Sequence, residues 1–193
     1  MKKYNKEEIK EIINNIVESV GDDPKREGLL DTPRRVVESY SEILNGYGKD
    51  PKENFIAFES DYAGMILFND IKFYSLCEHH FLPIIGTAVV GIIPSKETRK
   101  VIGFNKITKI VDIFAHRLQM QETLTKQITD CLNELLKPEG IMVSTTARHL
   151  CAEMKGTKIP PHNVVCTDYR GCFEDEKLRQ EFYQQQSLAR RYE

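Results

Sequence analysis

Nowhere in the 193 residues is there a run of 18 apolar side chains, and the charged start, Met1 to Glu8, leads into no apolar signal core. These absences argue against a helical membrane span or a secretion signal, and the expectation is a soluble, cytoplasmic protein. Surplus charge is missing too: 27 Lys and Arg stand against 29 Asp and Glu, a formal net charge of -2. That removes any bulk attraction to nucleic acid or anionic membrane, so an anion site must be local. A disulfide-dense pattern is likewise lacking. The cysteines number five, an odd count, in a chain long enough to bury a core without cross-links, which fits a reducing compartment with thiols free for metal. There is no internal repeat and no low-complexity tract beyond the small cluster Gln184-Gln185-Gln186.

What is present is a clear succession of periods. Ile9, Ile12, Ile13, Ile16, Val17 and Val20 recur at helical spacing until Gly21-Asp22-Asp23-Pro24. A second helix is predicted from Thr32-Pro33, with Val36, Val37, Tyr40, Ile43 and Leu44 on its apolar face. Residues 51–64 show no sustained period and read as mostly loop. Met65 to Cys77 and Leu82 to Pro94 read as the two strands of a hairpin joined across residues 78–81. Two helices follow, marked by Ile107 to Phe114 and Leu124 to Leu135, the second stopped by Pro138-Glu139-Gly140. Strands over Ile141 to Ala152 and Val164 to Phe173, and a helix near Asp175 to Ser187, complete the order. The class is α+β, with an antiparallel four-stranded sheet whose free edges favour assembly.

Chemistry concentrates at Cys77-Glu78-His79-His80, which places a thiol and an imidazole at i and i+3 beside a turn, the donor types zinc favours. His149 and Cys151 are two apart in a predicted strand, so both leave one face and Cys151 can join Cys77 and His80. Three protein ligands leave a fourth position open, as in catalytic zinc sites, with His79 and His149 left as imidazoles for proton transfer. Taken singly, each Cys reads first as a buried small residue and each His as a satisfied polar one. Two segments that each offer both types raise the metal reading. Cys131, Cys166 and Cys172 read as structural. Gln119, Gln121 and Glu122 open the second crossing helix, either as a solvated start or, functionally, as a base reader, because a carboxylate can accept the paired donors of guanine. Lys106, Lys109, Lys155 and Arg35 are surface charge singly and a polyphosphate site together.

These motifs together resemble the GTP cyclohydrolase I family from about Gly21 to Gln186. The resemblance rests on Arg26-Glu27-Gly28-Leu29, Thr32-Pro33 with Arg35, Cys77-Glu78-His79-His80, Ile102-Gly103 leading to Lys106, Arg117-Leu118-Gln119-Met120-Gln121-Glu122 and His149-Leu150-Cys151. It implies the tunnelling fold, a ββααββ unit over 51–193 after an N-terminal helical segment over 1–50, closing into a pentameric barrel and a homodecamer with sites between subunits. It implies Zn²⁺ on Cys77, His80 and Cys151, proton handling by His79 and His149, and a purine pocket at Gln121 and Glu122. The implied reaction is hydrolytic opening of the imidazole ring of GTP at C8, loss of formate and closure to 7,8-dihydroneopterin triphosphate. Asn105, Lys109 and Lys155 stand where the family usually has Ser, Arg and Arg, all on the sugar and phosphate side. A cyclohydrolase for another guanine nucleotide, one stopping at the formamidopyrimidine, and a silent nucleotide-binding subunit remain alternatives.

Overall fold

A computed structural model describes residues 5–53, 55–155 and 163–189. Two helices open it, α1 (Lys6–Ser19), capped by the Asn5 side chain accepting from the Glu7 amide, and α2 (Thr32–Ile43), with Pro33 in its first turn. The segment after α2 is pinned to the body of the protein at Gly46, whose amide donates to the His116 carbonyl at 3.0 Å. Only glycine fits there: a Cβ would lie 2.1 Å from the Ile113 carbonyl oxygen. Arg117 completes the attachment by donating to the carbonyls of Gly46 and Lys49.

The region expected to be loop holds β1 (Ala57–Glu59), which pairs antiparallel with β4 (Lys100–Ile102) as a separate two-stranded sheet. Three-residue strands carry too few alternations to register as a period. The main sheet runs β5-β2-β3-β6-β7 and has five strands rather than four. Its members are β2 (Ile66–Cys77), β3 (Pro83–Ile93), β5 (Leu118–Gln119), β6 (Gly140–His149) and β7 (Val164–Gly171). The addition, β5, is a two-residue strand parallel to the end of β2, pairing Leu76 with Leu118 and Cys77 with Gln119. All other pairings in this sheet are antiparallel. Between the strand pairs lie α3 (Phe104–Ala115) and α4 (Gln121–Leu136), which gives the expected ββααββ unit.

Alternation along the strands assigns the two faces. Phe73, Ile84, Ala88, Val90, Ile141, Val143 and Ala147 turn toward α3 and α4, where Ile107, Val111, Leu124, Ile128 and Leu132 close the principal core. On the other face Met65, Val89 and Met142 meet Phe173 and Phe182, the latter from α6 (Glu176–Ala189). Gly91 lets that helix approach, since a Cβ would stand 2.6 Å from the Phe182 ring. Cys131 belongs to the principal core, as expected.

One boundary needs correction. The strand expected to run from Ile141 to Ala152 ends at His149, and Leu150–Glu153 forms one helical turn, α5. His149 and Cys151 are therefore not strand neighbours on one face. The last strand likewise stops at Gly171, whose positive φ of 68° turns the chain into a 3-10 segment over Cys172–Glu174.

Candidate metal and base site

The hairpin turn after β2 is fixed by its own backbone. The Cys77 amide donates to the Leu82 carbonyl at 2.9 Å, and the Phe81 and His80 amides return to the Cys77 carbonyl at 2.9 and 3.3 Å. Phe81 closes the turn with φ of 55°, in the left-handed region. From outside, the Gln119 carbonyl accepts the Glu78 amide at 3.1 Å, tying the turn to β5. This frame directs the i and i+3 side chains to one place, with His80 Nδ1 3.7 Å from Cys77 Sγ.

The turn α5 brings Cys151 to the same point, so the donor atoms of Cys77, His80 and Cys151 all lie within 4.8 Å of one another. A tetrahedral zinc with ordinary Zn–S and Zn–N bonds sets its sulfur and nitrogen ligands about 3.6 Å apart. The Cys77 to His80 separation matches that, and two thiols with one imidazole form a zinc-type donor set, so these residues fit the ion. Burial, and next the neighbouring Cys77 thiol, raise the Cys151 thiol above its ordinary value. A divalent cation reverses that tendency by favouring the thiolate.

Three further groups surround the cluster. His79 Nδ1 is 4.0 Å from Cys77 Sγ, and its Nε2 is 3.6 Å from a Glu78 carboxylate oxygen. Glu78 carried no assigned role in the sequence; its adjacency to His79 was the available signal. Lys155 Nζ stands 2.7 Å from His80 Nε2, which brings its charge to the metal end. His149 pairs in register with Ile84 at the start of β3 and is half-buried at the same end of the sheet. Burial pushes its imidazole below the ordinary value, against the opposing pull of the Glu122 and Glu153 carboxylates.

At the start of α4 the two adjacent polar residues part ways. Glu122 is exposed, whereas Gln121 is only 1% exposed, so the solvated helix start fails for Gln121 and also for Gln119, which lies in β5 rather than in the helix. The Gln121 amide nitrogen donates to the Thr145 carbonyl, the Thr145 hydroxyl and the Val164 carbonyl at 3.0 to 3.1 Å, and its Oε1 is 2.7 Å from His149 Nε2. Thr145 and Thr125 are functional neighbours that no local motif in the sequence marks.

The remaining candidates lie elsewhere on the chain. Asn105 and Lys106 occupy the first turn of α3, with Lys109 one turn on. Arg35 is exposed on α2 and bonds to Asp31. The cluster therefore unites Cys77, His80, Cys151, His79, His149, Gln121 and Lys155, with Glu122 beside His149, and does not unite Asn105, Lys106, Lys109 or Arg35 with them. Among the described residues, no helix is long and apolar enough to cross a membrane.

Comparison with known proteins adds lineage to this geometry. Residues 9–187 match the family described as GTP cyclohydrolase I. A GTP cyclohydrolase 1 of Bacillus cytotoxicus is 44% identical over 177 residues, covering 91% of this chain and 93% of that protein. One of Bacillus mycoides is 42% identical over the same length and coverage. A solved structure of an archaeosine synthase QueF-Like in the apo form is 14% identical, with a TM-score of 0.47, and covers 58% of this chain and 97% of that one.

Proposed function

Because the chain belongs to the GTP cyclohydrolase I family, we propose that it hydrolyses the imidazole ring of GTP, releases formate and forms 7,8-dihydroneopterin triphosphate, an enzyme of pterin synthesis. The observation that carries the reading is the convergence of Cys77, His80 and Cys151 beside His149 and Glu122. Zinc is the fitting ion, and when held by three such ligands it supplies a water nucleophile near neutral pH.

The chain's own side chains divide the remaining work. The exposed Glu122 carboxylate accepts the N–H and amino donors of guanine and so orients C8 toward the Cys77 end. His149, next to that carboxylate, delivers a proton to the purine N7 as water adds at C8. His79, held near Glu78, serves the opening and rearrangement of the ribose. Lys155 meets the nucleotide from the metal end, while Lys106, Lys109 and Arg35 hold phosphate as local charges and Asn105 lies toward the sugar. The lysines act as point charges without the bidentate fork of arginine.

A homodecamer built from two pentamers, in the cytoplasm, is the assembly we infer. Support comes from the placement of Lys106 in the first turn of α3, at the Phe68 end of β2 and away from Cys77, an arrangement that a second copy would complete. The test is to incubate the purified protein with GTP, dGTP, GDP and GMP, with and without a chelator, while following formate and the fluorescent oxidised pterin. Both products from GTP, lost on chelation, are expected. Formate without pterin would limit the activity to ring opening; a preference for GDP or GMP would assign another substrate; no product from any nucleotide would overturn the reading.

A further inference from the structure

We propose that Gln121 is a positioning residue whose side-chain oxygen holds Nε2 of His149 as the N–H, leaving Nδ1 as the nitrogen that works on the purine. The orientation of the amide follows from its surroundings. Its nitrogen faces the backbone carbonyls of Thr145 and Val164 at 3.1 and 3.0 Å, and carbonyls only accept. Turning the amide over would press Oε1 against both oxygens in a site that is 1% exposed. Oε1 therefore points the other way, to His149 Nε2 at 2.7 Å, and an oxygen that only accepts requires a hydrogen on that nitrogen.

The hydroxyls behind the amide agree in direction. Thr125 donates to the Gln121 carbonyl at 2.8 Å, so in its 2.7 Å contact with Thr145 the donor is Thr145. That leaves the Thr145 oxygen with lone pairs for the Gln121 nitrogen at 3.0 Å. Both threonines are buried, so water does not compete for these bonds. Among the described residues, His149 Nδ1 has no hydrogen-bond partner. By accepting from Nε2, Gln121 Oε1 fixes both the tautomer and the orientation of the ring.

This deepens the proposed ring opening and rests on it for the kinetic half of its test. It also separates Gln121 from the base: both polar ends of its side chain are engaged inside the chain, and base recognition falls to Glu122, the neighbouring residue that faces outward.

The direct test needs no substrate. In the zinc-loaded wild-type protein with ¹⁵N-labelled histidine, the imidazole nitrogens of His149, identified by their loss in His149→Gln, should report hydrogen on Nε2 and a bare Nδ1 when the ring is neutral. Hydrogen on Nδ1 instead would overturn the proposal. Kinetically, Gln121→Met, which keeps volume and removes both polar ends, should lower kcat by about 10- to 100-fold while KM for GTP stays within about twofold and zinc content is unchanged. A raised KM with kcat unchanged would make Gln121 a base-binding residue and overturn the assignment. Should Gln121→Met fail to fold, the wild-type spectrum still decides, and it does so even if GTP proves not to be the substrate.

Discussion

The ring of Phe104 lies 5.9 Å from the ring of Phe68, and this contact seats the first turn of α3 at the end of β2 opposite Cys77. A bulge interrupts β2 between Phe68 and Ile71, and from Ile71 to Cys77 the strand runs regularly for about 20 Å. Lys106, two residues beyond Phe104, therefore starts α3 at the end of β2 away from the metal cluster of its own chain, and the proposed site between copies takes its Lys106 from a second chain. The expected outcome is complementation. Cys77→Ala and Lys106→Ala chains, each inactive alone, should recover activity when unfolded together and reassembled, to about a quarter of wild type for random mixing of copies sharing a site. A mixture that stays inactive would place the whole site within one chain.

Glu122→Gln keeps shape and removes the negative charge facing the guanine donors. A hydrogen bond to a charged group contributes roughly 1.5–3 kcal/mol, so KM for GTP should rise by about 10- to 100-fold, with a smaller change in kcat. Steady-state kinetics checks this, and an unchanged KM would remove Glu122 from base recognition.

Gly46→Ala forces a methyl group against the carbonyls of Ile113 and His116, at 2.1 and 2.7 Å. Neither backbone oxygen can give way without disturbing the end of α3, so a loss of about 1–3 kcal/mol is expected, read in a denaturant titration of the assembled protein.

Cys131 provides a signal in alkali. Burial pushes its thiol up from 9.0 to about 11, so the folded protein holds it neutral where the unfolded chain ionises it. Its contribution to stability is full below pH 9.0 and is lost as pH rises through about 11. Denaturation midpoints at pH 8 and pH 10.5 should therefore fall further for wild type than for Cys131→Val, and equal falls would contradict the shift.

The parts of this architecture legible in the sequence are those with a strong period or a tight spacing. The main-sheet strands β2, β3, β6 and β7 and the two crossing helices announced themselves through long alternation or heptad-like spacing, and Cys77 with His80 through i, i+3 at a strand's end. Cys151 was placed correctly beside them for the wrong reason: alternation along a strand suggested a shared face, whereas a helical turn after His149 delivers the thiol. The short strands β1, β4 and β5 were illegible because two or three residues hold no period. The burial of Gln121 is not legible because what buries it, Thr145 and Val164, lies 24 and 43 residues further on. Local pattern carries no trace of such a partner.

The single backbone bond from the Glu78 amide to the Gln119 carbonyl, with β5 beside it, makes the hairpin turn and the start of α4 two jaws of one caliper. One jaw carries the thiol and imidazoles, the other Glu122, and only Met120 lies between the clamped strand and the helix. The spacing of the two backbones that carry the jaws is therefore set by main-chain pairing rather than by side-chain rotamers.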